Sequence, residues 1–196
     1  MTTDFARINS PRAILYYGGS FNPPHIAHVM MVSMLRAYFP QACIWVSPAY
    51  RHAFDKSLMD YEVRCEMLRA CLDGIPNVEI SDIERTVCLE DAQNRGYTVD
   101  VVRKILSLHP GAEIHIVVGS DILETLPKWH EYGELCKMAE FLVFPRQGYD
   151  NRRALPVPML PEVSSSQIRA MLENSNDLNE IRGLVPAAVL DRMNLA

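Results

Sequence analysis

Five short runs of apolar residues punctuate the chain, at 13–17, 43–46, 78–83, 114–118 and 141–144. The first ends at Gly18-Gly19 and the second at Ser47-Pro48. Apolar runs of this length suit strands buried on both faces, as in a parallel sheet. Helical spacing fills the gaps. Met59, Val63, Met67 and Cys71 recur four residues apart, and Val101, Val102, Ile105, Leu106 and Leu108 line one face of 99–108. Strand and helix alternate with the lengths that right-handed crossovers require. The pattern predicts an α/β fold, a doubly wound parallel sheet of about five strands. In such sheets ligands sit beyond the carboxyl ends of the strands, so the places to look follow residues 17, 46, 118 and 144.

Two stretches break the alternation and are expected to be long loops: 84–96, mixed and charged, and 145–162, with Pro145, Pro156, Pro158, Pro161 and Gly148. No linker divides the chain. One domain over 1–196 is expected, with an N-terminal extension at 1–12 and a small helical part at 163–196.

Composition narrows the classes. At 48% hydrophobic and 22% charged the chain is neither disordered, collagenous nor coiled coil. No apolar run approaches the roughly 18 residues of a membrane helix, and 1–12 has no secretory apolar core. A formal charge of -5 argues against a nucleic-acid partner, yet local donors can still hold a small anion. The five cysteines form no C-x-x-C pair, which speaks against zinc or a redox dithiol. Scattered single thiols, read as buried small hydrophobes, fit a cytoplasmic location.

The first loop carries the strongest chemistry: Gly18-Gly19-Ser20-Phe21-Asn22-Pro23-Pro24-His25-Ile26-Ala27-His28. Two glycines let the backbone approach a ligand, and Asn22 with its prolines reads as a helix start. His25 and His28, three apart, share one face of the first turn, where free amides favour an anion. The bland alternative is a glycine turn with two satisfied histidines. Near the C-terminus, Ser164-Ser165-Ser166-Gln167-Ile168-Arg169 contains an S-x-x-Q capping box. Capping leaves unexplained why Arg169 stands where the helix dipole disfavours a cation; a bound anion would reverse that sign. A third string runs Gly119-Ser120-Asp121 to Leu126, Trp129, Glu134 and Leu135. Here Asp121 could simply cap a helix and Trp129 could simply be core. Thr98, in Tyr97-Thr98-Val99-Asp100, is equally a cap candidate.

The first string resembles the H-x-G-H signature of the nucleotidylyltransferase superfamily, with Ala27 in place of its glycine. The Ser-rich string is similar to that superfamily's I-S-S-T-x-I-R. The tryptophan segment resembles the nicotinate (or nicotinamide) mononucleotide adenylyltransferases. The resemblance implies a Rossmann-like fold and spans about 13 to 190. It implies that His25, His28 and Arg169 act on the reacting phosphates. Gly18, Gly19, Ser20, Phe21, Gly119, Asp121, Arg146, Ser165 and Ser166 would hold ATP. Asn22, Lys56, Arg64, Thr98 and Trp129 would hold the mononucleotide, with Trp129 stacking on the pyridine ring. A stretched 47–56 segment stands where the family has a compact Pro-Pro-His-Lys, and Arg64 could instead pair with Asp60.

The implied reaction is adenylyl transfer from ATP to nicotinic acid mononucleotide, giving deamido-NAD and pyrophosphate. A phosphate monoester is mostly dianionic at neutral pH and attacks without a general base. Mg²⁺ would arrive on the triphosphate, with no metal site of the protein's own. Three alternatives stay open: the same transfer to nicotinamide mononucleotide or to another phosphorylated acceptor such as phosphopantetheine, a non-catalytic nucleotide sensor, and a metal hydrolase. The last lacks ligand spacing among His52, His109, His115 and His130.

Overall fold

The structure, a computed structural model, describes residues 5–51, 58–175 and 177–193. Five strands form one parallel sheet: β1 (Ala13–Gly19), β2 (Cys43–Pro48), β3 (Val78–Ile80), β4 (Glu113–Gly119) and β5 (Ala139–Phe144). Their order is β3-β2-β1-β4-β5. The chain steps outward from β1 to β3, then returns across β1 to β4. The switch point therefore lies between the carboxyl ends of β1 and β4, where a doubly wound sheet opens a crevice.

The helices are α1 (Phe5–Ile8), α2 (Ile26–Tyr38), α3 (Tyr61–Leu72), α4 (Ile83–Glu90), α5 (Thr98–Leu108), α6 (Tyr132–Met138), α7 (Ser165–Ser175) and α8 (Ala187–Met193). Alternate residues of each strand feed opposite faces. In β1, Leu15 joins a core with Met31, Leu35 and Phe39 of the α2 side. Its neighbours Ile14 and Tyr16 join the other core with Val99, Val102 and Ile105 of α5. Each such side chain removed from water contributes about 1.5–3 kcal/mol. A third cluster, Met67, Val163, Ile168, Ile181, Val185 and Val189, seats the C-terminal helices on α3.

Two expectations need correction. The third strand stops at Ile80, and α4 occupies 83–90, inside the expected loop. Its apolar face (Ile83, Val87, Cys88) is short and carries Glu84, which is itself buried, so charge hid the periodicity. Within the 1–12 extension, Ile8 is in the core and Phe5 stacks on Phe39 at 5.5 Å. Cys43 and Cys136 are exposed rather than buried. The 145–162 stretch does lack regular elements apart from one bridge, Arg146 to Leu160. It is pinned to the sheet by Leu155 N–H donating to the Val143 carbonyl at 2.7 Å.

Candidate active site

Two adjoining cavities open at the switch point. The smaller, about 180 Å³, is lined by Asn22, His25, His28, Ser164, Ser165, Ser166 and Arg169. The larger, about 650 Å³, is walled by Gly18, Gly19, Gly119, Asp121, Thr98 and Trp129. Ser20 and Arg146 line both.

The small cavity is built around the start of α2. His25 is the residue before the helix, in extended conformation. Its backbone N–H donates to Nδ1 of His28 at 3.1 Å. That bond leaves the His28 proton on Nε2, ready to donate. The rings stack 3.6 Å apart, tilted by 20°. The edge of Phe21 closes on His28 at 4.8 Å. Phe21 itself is buried at φ 44°, a backbone turn that a bulky residue holds only when its surroundings fix it. Burial, then the Arg146 charge, lowers the His25 pKa to about 4. Burial, the neighbouring ring and Arg146 push His28 well below the usual range too. Both imidazoles are therefore neutral donors at pH 7. Nδ1 of His25 is buried with no hydrogen-bond partner among the described residues.

The second wall comes from α7. Ser164 caps it, its Oγ accepting from Gln167 N–H at 3.2 Å, so half of the capping box is formed. Arg169 escapes the unfavourable dipole by reaching across the cavity mouth. It donates to the Asn22 carbonyl at 2.7 Å and to Ser166 Oγ at 3.3 Å. Ser165 Oγ donates to the Pro23 carbonyl at 2.8 Å. The α7 start and the α2 entry are thereby locked together, 142 residues apart.

Arg146, from the loop after β5, joins the two cavities. It donates to the Val163 carbonyl at 3.0 Å and pairs with Asp121 at 3.4 Å. Gly119 lets both approach closely: a Cβ would lie 2.2 Å from Asp121 Oδ1 and 2.8 Å from Arg146 Cδ, so those side chains would have to shift. Asp121 caps no helix with its side chain; it faces the guanidinium. Thr98 is the first residue of α5 and not its cap. Trp129 is half-buried, edge-on to Phe141 at 6.1 Å; it packs against the α5-side core and also lines the large cavity.

Two expected mononucleotide contacts have other partners. Arg64 lines neither cavity. Its buried guanidinium donates to the carbonyls of Met59, Ser20 and Ala49 at 3.0, 2.9 and 2.7 Å. It fastens the β1 and β2 exits together from beneath, and the pair with Asp60 is not made, since Asp60 caps α3. Asn22 lines the small cavity, not the large one, and its Oδ1 accepts from Met59 N–H at 3.1 Å. Lys56 lies outside the described residues. Sequence reading passed over Arg51, Glu84 and Lys128, which line the large cavity. Glu84 sat in a charged stretch taken for loop. Its carboxyl accepts from Tyr50 N–H at 3.0 Å, and burial pushes its pKa up to about 8. Among the described residues no group of three His, Cys, Asp or Glu could hold a metal ion.

Residues 16–171 match the family model described as Cytidylyltransferase-like. A protein of Anaeromyxobacter dehalogenans described as "Probable nicotinate-nucleotide adenylyltransferase" is 36% identical over 182 residues, 91% of this chain and 92% of the relative. The chain belongs to the nicotinate-nucleotide adenylyltransferase family. A further member, of the same description, from Myxococcus xanthus is 33% identical over 88% of this chain and 87% of its own. The fold agrees as well. The nicotinic acid mononucleotide adenylyltransferase of Plasmodium falciparum, solved in complex with NaAD, superposes with a TM-score of 0.78 at 23% identity, over 93% of this chain and 95% of that one. In this chain the histidine loop and the Ser-rich helix start meet at one cavity. No helix of the described residues is long and apolar enough to cross a membrane.

Proposed function

We propose that the chain transfers the AMP moiety of ATP to the phosphate of nicotinic acid mononucleotide, yielding deamido-NAD and pyrophosphate. Family membership supports the reaction. The single observation that carries the assignment of parts is the division of the crevice: a small cavity of donors without a carboxylate, opening on a larger one with a tryptophan and a helix-starting threonine. The small cavity suits the triphosphate. Neutral His25 and His28, Arg169 and the serine hydroxyls would meet its oxygens. The large cavity suits the pyridine nucleotide, with Trp129 as a ring platform.

The acceptor phosphate, largely dianionic at pH 7, needs no base to attack the α-phosphorus. A phosphorus–oxygen bond forms to the mononucleotide as the bond to the bridging oxygen of pyrophosphate breaks. The protein aligns the partners and stabilises charge that builds on the leaving oxygens. Fixed donors do this without reorganisation, and the backbone bonds that hold His28 and Arg169 supply the fixity. Arg146, touching both cavities, stands where the reacting phosphates would meet. Mg²⁺ fits as a companion of the triphosphate, because the small cavity offers donors and no anionic ligand of its own.

The test incubates the pure protein with ATP, Mg²⁺ and either nicotinate or nicotinamide mononucleotide. The expected result is dinucleotide and pyrophosphate in equal amounts, faster with nicotinate mononucleotide. Absence of product with both overturns the reading.

A further inference from the structure

The Trp129 platform stands on a strained turn. Glu131, two residues on, has φ 48° and ψ 41°, a left-handed conformation that a residue with a Cβ adopts at a cost. The turn is not held by a helix cap, for no side chain caps α6 at Glu131. It is held from outside, by α5. The Glu131 carboxylate pairs with Arg103 of α5, and the His130 ring stacks on Tyr97 at 4.3 Å and 27°.

The same stretch of α5 continues the chain of bonds. Arg103 donates to Asp100 Oδ1 at 2.9 Å, and Asp100 Oδ2 accepts from the Asn94 amide at 2.9 Å. The Asn94 carbonyl accepts from Arg51 at 3.2 Å, as does that of Ala92 at 2.6 Å. Arg51, Thr98 and Trp129 line one cavity. A polar chain thus runs from the β2 exit, through the first turns of α5, to the platform turn.

We infer that Arg103, with the Tyr97–His130 stack, is a positioning device: it sets the gap between Trp129 and Thr98 and so the fit of the mononucleotide's flat ring. This inference rests on the proposed function. Arg103 is half-exposed and lines neither cavity, so it touches neither substrate. Its effect must pass through the turn. An exposed ion pair is individually weak, but here the Arg103–Glu131 pair and a ring stack act together on one strained turn, and loosening it costs the acceptor and spares the triphosphate.

The experiment places Arg103→Met, Arg103→Lys and, separately, His130→Ala in the full chain. Kinetics are measured for both substrates. Arg103→Met should raise KM for nicotinate mononucleotide about three- to tenfold while kcat and the KM for ATP stay within about twofold. Arg103→Lys should recover most of the loss, and His130→Ala should move the same constant in the same direction. A second reading needs no turnover. The chain has two tryptophans, so Trp45→Phe leaves Trp129 as the sole tryptophan, read by selective excitation of indole over tyrosine. In that background Arg103→Met should make Trp129 clearly more open to acrylamide quenching. Unchanged mononucleotide KM with unchanged quenching overturns the inference. So does a rise in both KM values in step with a lower Tm, which marks general loosening. If the wild-type protein makes no dinucleotide, the proposed function falls, and the quenching comparison alone decides whether Arg103 holds the turn.

Discussion

The two cavities at the switch point are made differently. In the small one, most of the polar side chains are tied to backbone: His28 to the His25 amide, Arg169 to the Asn22 carbonyl, Ser165 to the Pro23 carbonyl. In the large one, Gly18, Gly19 and Gly119 leave room; Arg51 and Glu84 are tied to backbone, but the Trp129 and Thr98 side chains have no hydrogen-bond partner among the described residues. The first is a rigid set of donors and the second an adjustable slot. That difference teaches where each substrate's energy is used. Rigid donors act on charge that grows in the transition state and should govern kcat. A slot with an aromatic wall acts on the ground state and should govern KM for the ring-bearing substrate.

The largest effect should fall on the rigid side. His28→Ala should lower kcat about 10²- to 10³-fold and change the mononucleotide KM little, the cost of one fixed donor at developing charge. Equal changes in both constants would dissolve the distinction. Next comes the seam between the cavities. Gly119→Ala drives a methyl into Asp121 and Arg146, which must move together. We expect kcat/KM to fall about 10- to 100-fold for both substrates, as misplacement at a shared residue would. On the adjustable side, Trp129→Ala should raise the mononucleotide KM about tenfold, the worth of one ring stack, with kcat nearly preserved.

Protonation sharpens the same contrast. Both histidines are neutral donors, their folded pKa values depressed. Activity should therefore hold steady from about pH 6.5 to pH 8, whereas a mechanism needing imidazolium would lose rate as pH rises through that range. The stability they contribute is present above the unfolded histidine value near 6.5 and is lost as pH falls below it, for His25 as pH approaches about 4. Glu84 has the opposite sign. Its folded pKa is raised to about 8, so its share of stability is full below the unfolded value and drains away as pH climbs through 8. Glu84→Gln should leave stability unchanged near pH 5 and raise it by about 1–2 kcal/mol at pH 9, an effect on folding and not on either substrate's constants. A gain independent of pH would show that the carboxyl does not titrate as its burial implies.

The sheet was legible in the chain because strands buried on both faces leave continuous apolar runs, and each of the five runs overlaps a strand. The helix at 83–90 was not legible, since its buried face includes a glutamate whose partner, the Tyr50 amide, is remote in sequence. In the site, His25, His28, Ser165 and Arg169 could be singled out because turn and cap chemistry is local. The tasks of Arg64 and Asn22 could not. Arg64 reads as a phosphate ligand until its three carbonyl partners are seen, two of them on loops 15 and 44 residues away. The strain at Glu131 left no mark in the sequence either, because left-handed residues are usually announced by glycine or asparagine, and here by neither.

The central claim is that the small cavity receives the triphosphate and the large one the pyridine nucleotide. A crystal structure with a non-hydrolysable ATP analogue and nicotinate mononucleotide tests it most directly. The account predicts phosphate oxygens within hydrogen-bond distance of His28 Nε2 and the Arg169 guanidinium, with the pyridine ring flat against Trp129. A triphosphate seated away from His25 and His28, or a pyridine ring on the far side of Arg146 from Trp129, would contradict it.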